Sequence, residues 1–317
     1  MRIKCVIFMM AIITIFSFTG CNEKTNSTAA QTKPVVAVTI VPQATFVKEV
    51  AGDLMDVVVL VPPGYSPESY QPSPKLMEEF SRASIYFAIG VPAEEAYILP
   101  RVGSINSGIK IVDLAERVAR FYPPRSFETG ESSHSHSTNP DSPEIPSDEH
   151  SHEGNDPHIW LSPKRVKVII EEIARELSIL DADNKSIYES NAESYKQELD
   201  KLDSEIKEIL SGVSNKSFIM YHPSLGYFAD DYGLNMHAIE EGGKDAAPKT
   251  FQRLIDLAKS ENIKAVFYQA ESDSRQSRAF AEEIGGEAIM VEPLSADYIN
   301  NLRKIAETFA KAIEGNN

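Results

Sequence analysis

What this chain lacks narrows it first. Cysteine is almost absent: Cys5 and Cys21 are the whole complement, so nothing beyond residue 21 can be stapled by a disulfide and the fold must be held by its core. Positive charge is scarce, with 31 Lys and Arg against 47 Asp and Glu and a formal net charge of −16. That balance argues against nucleic acid as a partner, because phosphate neutralisation needs clustered Lys and Arg. It permits cation binding without proving it, since most acidic surfaces are merely solvated. Long apolar runs are missing too: the stretch from Cys5 to Phe18 is too short to span a bilayer, which takes roughly 20 residues, and no other stretch approaches that length. The recognisable runs of catalytic chemistry are also absent. There is no H-E-x-x-H, since His152-Glu153 has no histidine four residues on, no G-x-S-x-G elbow and no phosphate-cradling loop, which leaves a metallohydrolase a weaker reading than a non-enzyme. At 317 residues the chain is long enough for two domains of ordinary size.

What is present begins at the N-terminus. Arg2 and Lys4 precede the apolar run, which has about the length of a signal-peptide core. It ends in Phe18-Thr19-Gly20-Cys21, which resembles the lipobox of bacterial lipoproteins, although Phe18 stands where an aliphatic residue is usual. The resemblance implies that residues 1–20 are a removed signal peptide, that Cys21 is lipidated and becomes the new N-terminus, and that residues 21–34 are a polar tether to a membrane. The alternative is an ordinary signal peptide with an incidental cysteine. Either way the expected location is outside the cytoplasmic membrane, in a bacterial periplasm or at the cell surface.

Along the rest of the chain, short β-branched runs alternate with helical patterns, predicting an α/β protein of two lobes, each with a parallel sheet flanked by helices. In residues 35–162 the strands are expected at Val35–Ile40, Val57–Val61, Ser84–Ile89 and Lys110–Val112, with helices near Ala44–Leu54, Lys75–Ala83 and Glu94–Arg101. In residues 213–317 they are expected at Ser217–Tyr221, Asn235–Ile239, Ala265–Tyr268 and Ala288–Val291, with helices near Pro248–Ser260, Arg275–Ile284 and Ala296–Ile313. Between them, residues 163–212 read as connecting helices. Val166, Ile169, Ile170, Ile173, Leu177 and Leu180 form one apolar stripe, and Tyr188, Tyr195, Leu199, Leu202, Ile206 and Ile209 a second, on a helix from Asn184 to about Leu210 that is roughly 40 Å long. A stiff connection of this kind restricts hinge closure and predicts a nearly preformed cleft.

The segment from Ser126 to Pro157 differs from everything around it. It carries eight Asp or Glu, no Lys or Arg, and His134, His136, His150 and His152. Low hydrophobicity with Ser, Pro and negative charge predicts disorder. Its HxH pairs can gather borderline cations weakly and release them quickly; the alternative is a merely solvated tether.

Two other histidines stand alone in apolar, proline-marked contexts, Asp156-Pro157-His158-Ile159-Trp160 and Tyr221-His222-Pro223. A rigid turn and an apolar shell can fix an imidazole and exclude water, so the pair predicts a buried metal site. Together with Pro62-Pro63-Gly64-Tyr65-Ser66-Pro67-Glu68-Ser69-Tyr70-Gln71-Pro72-Ser73-Pro74, Tyr221-His222-Pro223-Ser224-Leu225-Gly226-Tyr227-Phe228 and Glu240-Glu241-Gly242, these motifs make the chain resemble the cluster A-I metal-binding solute receptors of ABC importers, closest to the zinc-uptake type. The likeness runs in order from Val35 to Ile313.

The resemblance implies two α/β lobes, a long connecting helix and a metal in the cleft held by Glu68, His158, His222 and Glu292. It implies capture of a divalent transition metal, zinc foremost, and delivery to an ABC permease, with no reaction on the cargo and a monomeric receptor. Glu68 departs from the histidine more usual there, and Glu292 from an aspartate one methylene shorter. Alternatives stay open for each: Glu68 as a surface loop residue with water in the vacancy, and Glu292 paired with a lysine. Glu240 and Glu271, further acids near strand ends, read as ordinary surface or capping charge, and His237 as structural. Histidine at position 222 accompanies zinc in such receptors, while oxygen-rich sets also admit manganese or iron. A surface adhesin lipoprotein is the reading from another class.

Overall fold

The structure, a computed structural model, describes residues 33–126, 154–240, 246–272 and 274–314. The first sheet is built from β1 (Val35–Val38), β2 (Asp56–Val59), β3 (Ile85–Ala88) and β4 (Lys110–Asp113), all parallel, in the order β2-β1-β3-β4. The second repeats that order with β5 (Ser217–Met220), β6 (Asn235–Ala238), β7 (Ala265–Gln269) and β8 (Glu287–Val291), arranged β6-β5-β7-β8. The inner strands carry the continuous apolar runs: β3 and β5 are buried throughout, while the edge strands β2 and β6 are half-exposed. That contrast follows from helices covering both faces of a parallel sheet.

In the first lobe the helices are α1 (Val41–Ala51), α2 (Pro74–Phe80), α3 (Leu99–Ile105), preceded by a π-helical turn over Glu94–Ile98, and α4 (Leu114–Ala119). The helix α1 starts three residues before its expected position because Gln43 Oε1 accepts the backbone N–H groups of Thr39 and Ile40, both at 3.0 Å, and closes the strand-to-helix turn. Connecting helices α5 (Pro163–Leu180) and α6 (Lys185–Ser211) form a hairpin, with Ser162 as N-cap and Pro163 in the first turn of α5. The second lobe adds α7 (Gly226–Tyr232), α8 (Pro248–Ser260), α9 (Ser274–Ile284) and α10 (Tyr298–Glu314). The short helices α4 and α7 carry too few apolar periods to be foreseen. Asp113 caps α4, and Gly233, with φ 66°, ends α7 in the left-handed conformation that a side chain disfavours.

The two apolar stripes of the connecting hairpin are buried as expected, except that Leu180 and Ile209 lie at the margin and Leu210 takes the inward place on α6. The 27-residue α6 packs against α1, α5 and α10, elements of both lobes. One hydrophobic core therefore runs from Val36 and Phe87 through Trp160, Ile169 and Leu199 to Phe218 and Phe309. Smaller clusters cover the outer face of each sheet, around Tyr86 and Phe80 in the first and Val266 and Phe280 in the second. Among the described residues no helix is long and apolar enough to cross a membrane.

Candidate metal centre

Because all strands of both sheets are parallel, their carboxyl ends place loops on one edge of each lobe, where ligands of such sheets gather. After β2 the chain turns tightly, with the N–H of Tyr70 on Ser66 O at 3.1 Å, is fastened to the start of the π-helical turn by the N–H of Ala93 on Pro67 O at 3.0 Å, and presents Glu68. His222 follows β5 by two residues; its carbonyl accepts the N–H of Ser224 at 2.7 Å in the turn made by Pro223. His158 comes from the stretch just before α5, where its carbonyl accepts the N–H of Leu161 and its ring lies 5.0 Å from that of Trp160. Trp160 is itself tied to the second lobe through its indole N–H on Pro293 O at 3.0 Å.

These three side chains converge. The Nε2 atoms of His158 and His222 are 3.3 Å apart, and Glu68 Oε1 lies 3.8 Å from the first and 3.6 Å from the second. The histidines are almost completely buried and Glu68 partly so. Each imidazole is oriented from its far side by a carboxylate: His158 Nδ1 by Asp156 Oδ1 at 2.8 Å, which also accepts the His158 backbone N–H at 2.9 Å, and His222 Nδ1 by Glu240 Oε1 at 3.2 Å. With the ring protons assigned to Nδ1 by these bonds, both Nε2 lone pairs face each other and Glu68 Oε1, a buried oxygen without a hydrogen-bond donor. Three acceptors aimed at one point repel unless a cation or a proton sits between them. Accordingly, burial draws the His222 imidazole down, but the bond to Glu240 and the charges of Glu68, Glu240 and Asp156 outweigh it and leave it raised above its ordinary value.

Glu292 is not part of this group. It is 48% exposed, with Oε2 3.8 Å from Lys304 Nζ, and it lines a separate pocket of about 330 Å³ with Glu271 and Pro62–Gly64. Glu271 is pushed up by burial and by the charge of Glu292, and its Oε2 is buried without a partner. For Glu240 the expectation of ordinary surface charge is corrected: β5 and β6 are neighbours, so the residue two past β6 reaches the histidine two past β5. His237 lies within β6, opposite Ile219. Cys21, the loop histidines His134, His136, His150 and His152, and Glu241 and Gly242 lie outside the described residues. Sequence reasoning gave no site role to Asp156, Arg125 or Tyr227. Asp156 alone had a local signal, standing two residues before His158 in a proline turn.

The chain is similar to known zinc-uptake and metal-binding proteins. The family of zinc-uptake complex component A, periplasmic, named ZnuA, matches residues 36–312. A putative metal-binding protein of Chlamydia trachomatis serovar D is 28% identical over 283 residues, covering 88% of this chain and 91% of that protein. The zinc-binding protein AdcA of Streptococcus pyogenes serotype M3 is 28% identical over 324 residues, 96% of this chain but 61% of AdcA, so the chain spans about three fifths of that relative. Among solved structures, a crystal structure of ZnuA is 33% identical, covers 88% of this chain and 98% of its own, and superposes with a TM-score of 0.76.

Proposed function

Because the chain belongs to the ZnuA family of zinc-uptake components, we propose that it is the metal receptor of an ABC importer, capturing zinc outside the cytoplasmic membrane and handing it to a membrane permease. The observation that carries this reading is the convergence of Glu68 Oε1, His158 Nε2 and His222 Nε2, all within 4.8 Å of one another. A tetrahedral zinc with bonds of about 2.0–2.1 Å sets its ligand atoms about 3.3–3.4 Å apart. An octahedral ion with bonds of that length brings adjacent ligands to about 2.9 Å. The separations of 3.3, 3.6 and 3.8 Å lie at or beyond the tetrahedral edge, and two imidazoles with one carboxylate suit zinc, while manganese remains an admissible cargo. The fourth position falls to a water or to the second oxygen of Glu68, with Glu292 held away by its exposed position beside Lys304. No bond in the cargo is made or broken; the residues bind, orient and release. Anchoring through lipidated Cys21 and a monomeric state complete the reading.

The test is metal analysis of protein purified without added metal, then calorimetric titration with zinc and manganese in competition. Zinc is expected at one tight equivalent, and His158→Ala or His222→Ala is expected to weaken it by at least about tenfold. Unchanged tight binding in both variants sinks the assignment. Turnover of generic ester or phosphate substrates by the zinc-loaded protein would favour a metallohydrolase instead.

A further inference from the structure

We propose that Arg125 is a positioning residue of the metal centre: its guanidinium locks the Asp156 carboxylate that orients His158, and ties that carboxylate to the second lobe through Asp230. The inference rests on the reading of the centre given above and adds a residue which touches no proposed ligand.

The Asp156 side chain is fully buried, and its two oxygens have divided duties. Oδ1 serves His158 through both the backbone N–H and ring Nδ1, while Oδ2 lies 3.3 Å from Arg125 Nη1. A buried carboxylate requires a compensating charge, and among the described residues Arg125 is the one Lys or Arg paired with it. The neighbouring cations are otherwise engaged, since Lys164 and Arg165 both pair with Asp231. Arg125 is in turn held in place. Its carbonyl accepts the Asp156 N–H at 2.7 Å, its own N–H donates to Tyr227 Oη at 2.9 Å, and that hydroxyl donates to Asp156 O at 3.0 Å. Its Nε lies 3.3 Å from Asp230 Oδ2 on α7.

Gly226, the first residue of α7, shows how tight this contact is. A Cβ there would lie 2.5 Å from Arg125 Nη1 and 2.6 Å from Asp156 Oδ2, so the ion pair passes directly over the glycine backbone. With the pair in place Asp156 cannot rotate, Nδ1 of His158 keeps its proton, and Nε2 presents a lone pair toward His222 and Glu68. Without the guanidinium the carboxylate is free to turn, and the ring samples the tautomer that carries its proton on Nε2, the atom that must bind.

The experiment uses the full chain, metal-free, with ¹⁵N-labelled histidine at about pH 8, above the reference imidazole pKa of about 6.5, together with zinc affinity measured against a competing chelator. Arg125→Gln is expected to turn a single His158 tautomer into a mixture and to weaken zinc about tenfold, the lower end of what partners of metal ligands contribute. Arg125→Lys, which restores the charge but not the fork, should recover part of both, and Gly226→Ala should resemble Arg125→Gln. An unchanged tautomer and affinity in Arg125→Gln overturns the proposal. If that variant does not fold, Arg125→Lys decides: an altered His158 spectrum at an unchanged melting temperature supports it, and an unaltered one with unchanged zinc affinity overturns it. Should the wild type bind neither zinc nor manganese, the receptor reading fails, while the tautomer comparison in metal-free protein still decides the role of Arg125.

Discussion

Glu68 brings to the centre a carboxylate oxygen that is buried, unpaired and aimed at two imidazole nitrogens. If it ligates, Glu68→Ala should lower zinc affinity about tenfold, whereas Glu68→His should keep zinc and disfavour manganese, because imidazole suits the harder cation less. A metal-bound structure with Glu68 turned to solvent refutes this. His222 adds a pH dependence whose sign is set by its raised value. A group raised in the folded state contributes stability that is fully present below its unfolded value of 6.5 and is lost as pH rises through the folded value. Metal binding runs the opposite way, since Nε2 must be bare. As pH rises above about 6.5 the His222 contribution to metal-free stability should therefore fall while the zinc-dependent rise in melting temperature grows. Thermal melts with and without zinc across that range are the measurement, and a zinc-dependent rise that stays flat contradicts the assignment. At this scale the histidines were legible in the sequence because a proline beside each marks a rigid, apolar setting. Glu240 was not, since its meaning depends on which strand lies beside β5.

At the scale of elements, the acidic segment and its base come apart. Ser126 and Asn155 form an antiparallel bridge, directly beside the Asp156 N–H bond to Arg125 O at 2.7 Å. The backbone thus closes on itself at that point, and removing residues 130–153 leaves residues 127–129 and Gly154 as a link about the length of a hairpin loop. In that deletion variant the tight zinc equivalent should survive, while weaker equivalents due to His134, His136, His150 and His152 disappear. In the intact chain, acidification below about pH 6.5 should strip the same weak equivalents. Titration of the deletion protein checks both halves; loss of tight binding with the fold intact would make the loop histidines the principal site. Long elements of strong period, such as α5, α6 and α8, were readable to within a residue or two. The short α4 and α7 were not, because six or seven residues hold less than two turns of pattern.

For the whole molecule, the continuous core and the 27-residue α6 against helices of both lobes leave little room for hinge motion. Small-angle scattering is expected to give a radius of gyration near that of a compact chain of this size, about 19 Å, and metal should change it by less than about 1 Å. A larger contraction on adding zinc would show that the cleft closes on its cargo and that the connection is not stiff. The burial of Glu94 is a second property of the assembled molecule. Its carboxyl is raised to about 7 by burial, against hydrogen bonds from Thr39 and the N–H groups of Ile89 and Gly90 that lower it. Nothing in the spacing of that stretch distinguishes it from the exposed Glu95 beside it.

Residue type and period by themselves determined the α/β class, the eight strands, the helical hairpin and the two histidines. Those features rest on local physics: apolar runs that must be buried on both faces, stripes at helical spacing, and prolines that stiffen a turn. Tertiary structure decided which of the candidate acids meet the histidines. Glu68, Glu240, Glu271 and Glu292 each follow a strand of the two sheets; the family resemblance pointed to Glu68 and Glu292 and left Glu240 and Glu271 as ordinary charge. Strand order brings Glu240 against His222, turns after β2 aim Glu68 between the imidazoles, and the position of Glu292 beside Lys304 leaves it half in solvent. The role of a carboxylate is set by what stands within about 4 Å of it, and that distance is closed by residues far apart in the chain.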